Sequence, residues 1–242
     1  HKMNAETNAG GNTKTNTETN TGTNADLDRA DTNSFYGDRL SAMQATAEQL
    51  TKIIESYPGN TRPGNQSDNK YHPVLYCTSR IKSPESMKNK LKKHGYPLTC
   101  ESALTNVRDA IGIRAICSFS DDVFALARWL CERPEFNVIN QKDYISYPKP
   151  NGYRSYHLIF QLVDGPGDGL FAEIQLRTIA IDFWASLEHQ LKYKHEITHE
   201  TLIRSELKRC ADEIASIDLS MQTIRDLIDD NFSNCSERSS SP

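Results

Sequence analysis

The stretch AIGIRAICSFSDDVFALARWLCERP, residues 110–134, decides the fold class. Its first ten residues form a continuous apolar run of strand length, which is typical of a buried strand. The remainder has apolar residues at helical spacing, acidic residues at its start and a proline at its end, and this pattern predicts a helix. A buried strand followed directly by an amphipathic helix indicates a sheet that is covered by helices.

More strands follow this unit along the chain. FNVIN, residues 136–140, reads as a short strand. SYHLIFQLV (155–163) and GLFAEIQLRT (169–178) are two strands joined by the turn-forming residues DGPGDG, a pattern that predicts a hairpin. We therefore predict a mixed sheet with helices packed on it, an α+β fold.

Helices are predicted on both sides of these strands. Upstream, apolar residues recur at steps of three and four from Tyr36 to Ile54, and SPESMKNKLKKHG (83–95) has a Ser-Pro start and a glycine stop. The Pro/Gly/Asn-rich residues 57–72 between them predict a loop. Downstream we expect a helix from about residue 178 to 195 and a longer one that ends near Asn231.

The domain organisation follows from where apolar residues are found. We predict one domain over residues 35–231. Residues 1–34 are mostly Asn, Thr, Gly and Ala and residues 232–242 are polar, so we expect both ends to be disordered. The two residues ahead of Met3 are expected to be a remnant of expression.

Composition excludes several classes of protein. No apolar run approaches the roughly 18 residues of a membrane span, so no membrane partner is expected. The net charge is −4, so any anion-binding site must be local rather than spread over the surface. The six cysteines form no CxxC pair, which disfavours a disulfide or zinc framework and favours a cytoplasmic protein with reduced thiols.

A basic segment precedes the apolar strand. RIKSPESMKNKLKK, residues 80–93, has six Arg or Lys residues in an otherwise acidic chain. Lys82 lies just ahead of a predicted helix N-terminus, where free N–H groups favour an anion. Ser86 and Lys90, four residues apart, share a helix face. The segment is either a solvated basic face or a polyphosphate site.

Carboxylates stand at two predicted strands. Asp109 is at the mouth of the apolar strand and Arg114 interrupts it, which indicates either a local ion pair or a cleft. Glu173, Gln175 and Arg177 alternate with apolar residues, so they share one strand face. That face is either exposed surface or part of a site in which Asp109 and Glu173 hold Mg²⁺, an ion that prefers one or two carboxylates plus substrate phosphates.

The stretch YPKPNGYRSYHLIF, residues 147–160, combines a turn with aromatic and basic side chains. Its Asn-Gly pair predicts a tight turn before the strand. A tyrosine at the turn can stack on a planar base, and the cations can bind phosphate. Together these residues indicate a nucleotide-binding turn. The candidate contacts are Lys149, Asn151, Tyr153, Arg154 and His157.

In order and spacing, five motifs resemble the synthetase domain of the RelA/SpoT alarmone synthetases. They lie between about Ile81 and Lys194 and read SRIKSPESMKNKL, RDAIGIR, YPKPNGYRSYH, EIQLRT and FWASLEHQLKYK. The length leaves no room for the hydrolase and regulatory domains of the long members, so a small alarmone synthetase with a nucleotidyltransferase-like fold is expected.

The resemblance implies a GTP pyrophosphokinase that uses Mg²⁺. Such an enzyme moves pyrophosphate from ATP to the 3′-hydroxyl of GDP or GTP, giving ppGpp or pppGpp and AMP. It implies catalytic roles for Lys82, Asp109 and Glu173, with Glu173 as candidate general base and with Asp109 and Glu173 as metal ligands. The implied ATP-binding residues are Arg80, Lys82, Ser86, Lys90 and Arg114, with the two arginines on either side of adenine. The implied GDP/GTP-binding residues are Lys149, Asn151, Tyr153, His157 and Gln175.

Two other functions stay open on sequence alone. One is a toxic small synthetase that pyrophosphorylates adenosine nucleotides or the tRNA 3′ end. The other is a catalytically inactive nucleotide sensor.

Two helices present narrow apolar seams with a seven-residue repeat, from Tyr36 to Ile54 and from Ile203 to Ile228. Such a seam predicts one partner helix, and the two seams match each other in period. The partner helix lies either in the same chain or in another copy. The resemblance favours the second arrangement and implies a homotetramer held by the terminal helices.

Overall fold

A five-stranded mixed sheet forms the centre of the molecule, with strands in the order β1-β2-β5-β4-β3. We analysed a computed structural model, which describes residues 24–61, 71–192 and 200–238. Strands β2 and β5 run parallel, and every other neighbouring pair is antiparallel. The strands are β1 (Val74–Ile81), β2 (Ile111–Cys117), β3 (Phe136–Asp143), β4 (Tyr156–Leu162) and β5 (Phe171–Thr178).

Helices precede, separate and follow these strands. They are α1 (Asn24–Tyr36), α2 (Arg39–Glu55), α3 (Pro84–His94), α4 (Cys100–Asn106), α5 (Ser120–Cys131), α6 (Ile179–Lys192) and α7 (Glu200–Arg238). Short 3₁₀ turns occupy Pro58–Thr61 and Gly165–Gly167. Among the described residues, no helix combines the length and the apolar character that crossing a membrane requires.

One face of the sheet is the hydrophobic core. Ile113, Leu158 and Ile174 of the central strands are buried there, together with Met43 and Leu50 of α2. Along β2 and β5 these buried residues alternate with less buried ones, so the polar side chains of both strands lie on the opposite face. The α+β prediction is therefore confirmed, including the β4–β5 hairpin.

The register brings polar residues of four strands into two adjacent rows. In the first row, Gly112 lies between Arg80 on β1 and Glu173 on β5. The second row runs from Thr78 through Arg114 and Gln175 to His157. Directly opposed residues in a sheet have Cβ atoms about 4.5–5.5 Å apart, so each row brings its side chains within mutual reach.

Local signals at α3 act as the sequence predicts. The Ser83 hydroxyl accepts the Ser86 backbone N–H at 3.3 Å, Pro84 follows it, and the helix ends at Gly95 with a φ of 70°. A φ of this sign suits glycine because it has no Cβ to clash. The basic helix is therefore fixed at both ends.

Within the predicted domain, one strand and one helix were not predicted. Strand β1 follows the loop predicted over 57–72 and forms an edge of the sheet, with five of its eight residues exposed. Helix α4 is only seven residues long, too short for a periodic pattern, although the Thr99 hydroxyl caps it by accepting the Ser102 N–H at 3.2 Å. Strand β3 also extends three residues beyond the predicted strand, to Asp143.

The ends of the domain differ from the prediction. Residues 24–34 were expected to be disordered, but they lie in α1, which is anchored where Tyr36 enters the core with 1% of its surface exposed. Helix α7 was expected to end near Asn231 and continues to Arg238, because no glycine or proline interrupts it. The rest of both predicted tails, residues 1–23 and 239–242, lies outside the described residues, as do 62–70 and 193–199.

The N-terminal seam has a different partner from the one predicted. Its residues on α2 are buried against β1 and the core of the same chain, so this seam does not pair with α7. The first half of α7 instead packs on α6, where the Trp184 Nε1–H donates to the Leu207 carbonyl at 2.8 Å. A helix with this seven-residue apolar repeat can pack against a sheet as well as against another helix.

Candidate active site

The polar face of the sheet opens into a cavity of about 220 Å³. Its walls come from β1, β2 and β5, which the register brings together, and from Asp109, two residues ahead of β2. The lining includes Gly112 and five residues singled out in the sequence: Arg80, Asp109, Arg114, Glu173 and Gln175. The predicted metal ligands and the predicted adenine-binding arginines thus share one cavity.

Two lysines converge on Asp109. The Lys82 Nζ lies 2.9 Å from Oδ2 and the Lys90 Nζ lies 2.9 Å from Oδ1. Burial alone would raise the pKa of Asp109, but the hydrogen bonds and charges of the two lysines outweigh it and hold the pKa below its usual value. A local Asp109–Arg114 pair, left open by the sequence, is absent, because Arg114 pairs with Asp182 at 3.4 Å.

Backbone contacts fix Lys82 in place. Its N–H donates to the Ala110 carbonyl at 2.9 Å, and its carbonyl accepts the Tyr36 hydroxyl at 2.7 Å. Ser86 lies one turn into α3, where its hydroxyl is 2.9 Å from that of Ser83. The N-terminal helix therefore contributes directly to the position of a predicted phosphate-binding lysine.

Glu173 is held by its neighbours on β4 and β5. Its Oε1 lies 2.9 Å from the His157 Nδ1, and its Oε2 accepts the Gln175 Nε2–H at 3.0 Å. Burial would raise the pKa of Glu173, but the contact with His157 and the bond from Gln175 lower it below its usual value. The carboxylate is therefore ionised at neutral pH, as both a metal ligand and a proton acceptor must be.

Tyr153 and His157 connect the turn to Glu173. The Tyr153 hydroxyl lies 2.9 Å from the His157 Nε2 and accepts an N–H from Arg177 at 2.9 Å. Arginine can only donate and an ionised carboxylate can only accept. With His157 neutral, each hydrogen bond of this series then has one donor and one acceptor. Arg177 donates to Tyr153, Tyr153 donates to the His157 Nε2, and the His157 Nδ1–H donates to Glu173.

The predicted nucleotide-binding turn packs against α7. Gly152 has a φ of 88°, and a Cβ built there would lie 2.7 Å from the Ala211 Cβ, so a larger residue is excluded on both grounds. Asn151 closes the turn by accepting the Tyr153 N–H at 3.2 Å. The Lys149 ammonium lies 4.8 Å from the centre of the Tyr153 ring. Turn, tyrosine and cation thus meet at one point, as the sequence suggested.

Two residues of the same stretch have other partners. Arg154, a candidate phosphate cation, pairs with Asp212 of α7 at 3.2 Å. The buried Ser155 hydroxyl donates to the Leu176 carbonyl at 3.3 Å. Arg154 therefore holds the turn on α7 instead of facing a phosphate.

Sequence reasoning left Arg177 without a role and did not single out Asp182 or Tyr144. Arg177 bonds to Tyr153, Gln175 and Asp182. The Tyr144 ring meets the Tyr153 and His157 rings edge to face, with centres 6.1 and 5.3 Å apart. The alternation of Glu173, Gln175 and Arg177 along one strand face was the signal available for Arg177.

A metal would have few protein ligands here. Within 24–61, 71–192 and 200–238, no group of three or more His, Cys, Asp or Glu side chains could hold a metal ion by itself. Asp109 and Glu173 supply two carboxylates to one cavity. This donor set fits Mg²⁺, which is typically bound by one or two carboxylates plus substrate phosphates and water.

Comparison with known proteins identifies the family. Residues 79–198 match the "Region found in RelA / SpoT proteins". The GTP pyrophosphokinase YwaC of Bacillus subtilis (strain 168) is 38% identical over 66% of this chain and 77% of its own length. A second one from that organism, YjbM, is 35% identical over 64% of this chain and 74% of its own length. The chain belongs to the RelA/SpoT family, among its small alarmone synthetases.

A solved structure agrees with this assignment. The small alarmone synthetase 1 of Bacillus subtilis, bound to its product pppGpp, has a TM-score of 0.66 to this chain at 30% identity. The likeness covers 78% of this chain and 95% of that one. The predicted family and its fold are therefore confirmed.

Proposed function

We infer that this chain is a (p)ppGpp synthetase, a GTP pyrophosphokinase that transfers pyrophosphate from ATP to the 3′-hydroxyl of GDP or GTP and releases AMP. The observation that carries this inference is the cavity in which Asp109 and Glu173 lie among arginines, with Lys82 and Lys90 directed at one of the carboxylates. Relatives that are 38% and 35% identical are GTP pyrophosphokinases.

The donor nucleotide is assigned to the β1–α3 side of the cavity. Arg80 and Arg114, on neighbouring strands of one face, are assigned to the two sides of adenine, because planar guanidinium groups stack on rings. Lys82, Ser86 and Lys90 are assigned to the phosphates. Support comes from the N-terminus of α3, where the positive end of the helix dipole and the neighbouring lysines together favour an anion.

Asp109 and Glu173 are assigned to hold Mg²⁺ with the phosphates of ATP. When bound, the ion would neutralise charge that develops on the β- and γ-phosphates. The two lysines that pair with Asp109 can move to the phosphates, which leaves the carboxylate available as a ligand. The protein thus supplies the charges that this transfer needs.

The acceptor nucleotide is assigned to the turn and β4. Tyr153 stacks on guanine, and Lys149, Asn151, His157 and Gln175 contact the rest of the nucleotide. Glu173 takes the proton of the 3′-hydroxyl as its oxygen attacks the β-phosphorus. The new O3′–P bond forms as the bond breaks between the β-phosphorus and the oxygen that bridges it to the α-phosphorus. AMP leaves with that oxygen. Positioning and charge stabilisation provide most of the acceleration.

The acceptor is tested by product analysis. The purified protein is incubated with ATP, Mg²⁺ and each of GDP, GTP, ADP and tRNA, and the products are separated by anion exchange. We expect ppGpp from GDP, pppGpp from GTP and AMP in both reactions. Product only with ADP or tRNA would assign the enzyme to the toxic synthetases, and nucleotide binding without product would make it a sensor. Either result would overturn the proposal.

We also propose that the protein is a cytoplasmic homo-oligomer, most simply a tetramer. Its nucleotide substrates are cytoplasmic, and exposed apolar residues on the second half of α7 suit burial against another copy. These are Ile217, Met221, Ile224 and Ile228, each about half exposed or more. Light scattering should give a tetramer for the wild type and smaller species for Ile217→Asp. A wild-type monomer at micromolar concentration would refute the assembly, and an unchanged oligomer in the variant would exclude this surface.

A further inference from the structure

Arg177 is buried at the junction of the donor and acceptor sides of the site. Only 5% of its surface is exposed, and it makes three hydrogen bonds to side chains. Its Nη2 donates to the Tyr153 hydroxyl at 2.9 Å and to the Gln175 Oε1 at 3.1 Å. The Nη1 donates to the Asp182 Oδ1 at 2.9 Å. Two of these partners are assigned to the acceptor nucleotide, and none is an ordinary core residue.

Asp182, in the first turn of α6, connects Arg177 to the donor side. The same Oδ1 that binds Arg177 lies 3.4 Å from the Nη1 of Arg114, which is assigned to adenine. Burial lowers the pKa of Arg114, and repulsion from the nearby guanidinium of Arg177 lowers it further. One carboxylate therefore holds together two guanidinium groups that would otherwise separate.

We propose that Arg177 and Asp182 are positioning residues that hold the acceptor-binding and donor-binding side chains in one arrangement. Arg177 sets the Tyr153 ring through its hydroxyl and orients the Gln175 amide. Asp182 sets both Arg177 and Arg114. This proposal rests on the nucleotide assignments made above.

The series of hydrogen bonds that runs through Tyr153 and His157 extends the influence of Arg177 to Glu173. Arg177 donates to the Tyr153 oxygen, which leaves the hydroxyl proton for His157 and the His157 Nδ1–H for Glu173. Removing the guanidinium takes away the donor that holds the Tyr153 oxygen, so the Tyr153 side chain is no longer held in place beside His157. A structural ion pair alone would have no such connection to a reacting group.

The first test is a double-mutant cycle on the acceptor side. Arg177→Met and Tyr153→Phe should each raise the KM for GTP about tenfold or more, the range for losing a hydrogen bond to a charged group. The KM for ATP should change little in both. The effect of the double variant should be smaller than the product of the two single effects, because both changes remove the Arg177–Tyr153 bond. Arg177→Lys should recover part of the loss, since lysine keeps the charge but not the fork of donors.

The second test concerns Asp182. Asp182→Asn should raise the KM of both nucleotides, because it releases Arg114 and Arg177 together. The matched control is Asp122→Asn, the same change at a buried aspartate that accepts the Phe119 N–H at 3.2 Å, away from the cavity. Its two KM values should stay at the wild-type level, whatever happens to Tm. Binding of GDP alone, measured by calorimetry, gives a second readout for variants with low turnover.

The outcomes separate this inference from the function on which it rests. If Tyr153→Ala raises the KM for GTP but Arg177→Met and Asp182→Asn change only Tm, the positioning role is refuted and the nucleotide assignment stands. Fully additive effects of Arg177→Met and Tyr153→Phe would also refute it. If Tyr153→Ala leaves the KM for GTP unchanged, the assignment of the acceptor site itself fails.

Discussion

Glu173→Gln tests the assignment of the general base with little change of shape. The amide keeps one acceptor for the His157 Nδ1–H, which now lies 2.9 Å from Oε1. Its NH₂ group would then face the Gln175 Nε2, which now donates to Oε2 at 3.0 Å, and two donors cannot bond. The variant therefore loses one hydrogen bond near the site and keeps the other.

The effect on stability should be small. A lost hydrogen bond costs about 1 kcal/mol, and the loss is partly offset because a charge is no longer buried. The effect on turnover should be large, because general-base assistance contributes roughly 10²- to 10⁴-fold. A hundredfold loss in kcat corresponds to about 2.7 kcal/mol of transition-state stabilisation. A fall in kcat with little change in Tm is therefore the expected signature.

The assay measures pppGpp formation from ATP and GTP under saturating substrate, with nucleotide binding followed separately by calorimetry. Glu135→Gln is the matched control, because its carboxylate is similarly exposed, 23% against 18% for Glu173, and pairs with Arg133 away from the cavity. We expect wild-type kcat for the control and at least about a hundredfold lower kcat for Glu173→Gln. If kcat of Glu173→Gln stayed within tenfold of the wild type, Glu173 would not be the base.

Three further changes have defined outcomes. Lys90→Met removes one of the two cations paired with Asp109 and should raise the affinity of the protein for Mn²⁺, without nucleotide, about tenfold. Electron paramagnetic resonance measures this affinity, and an unchanged value would contradict a role for the Lys90–Asp109 ion pair. His157→Phe removes a contact that lowers the pKa of Glu173, the proposed general base, so the acidic limb of kcat/KM should shift to higher pH. An acidic limb that does not move would exclude this coupling. Deleting residues 3–34 should leave Tm nearly unchanged. A deletion that also removes Tyr36 should lower Tm by more than about 5 °C, because a large core side chain is lost. Equal Tm values for the two deletions would show that Tyr36 does not anchor the helix.

Much of the site could be predicted because strand periodicity and register act together. Alternation placed Glu173, Gln175 and Arg177 on one face, and the structure has them there. Their roles came from the family resemblance, since the residues alone fitted an exposed face equally well. The sequence did not predict that Lys82 and Lys90 pair with Asp109, because these pairs depend on how β1 and α3 are placed beside β2.

The errors arose where a local pattern fitted more than one partner. The apolar repeat of α2 suits a neighbouring helix, but the partner is the sheet, and sequence period does not distinguish them. The polar composition of residues 24–34 predicts disorder when taken alone. A helix that is anchored at Tyr36 can extend into such a segment, because adding a residue to an existing helix costs much less than starting one.

Three carboxylates in or beside the cavity are each paired with a basic side chain. Asp109 has two lysines, Glu173 has His157, and Asp182 has Arg114 and Arg177. A divalent cation that arrived alone would have to displace the two ammonium groups from Asp109. On the proposed assignment, the phosphates of ATP offer those groups other partners, so binding of the donor nucleotide would free Asp109 to hold the metal. By linkage, the nucleotide and the metal must then raise each other's affinity by the same factor. Asp182 has no such exchange, because both of its partners are fixed within the site, and this is the reason why it suits a positioning role rather than a catalytic one.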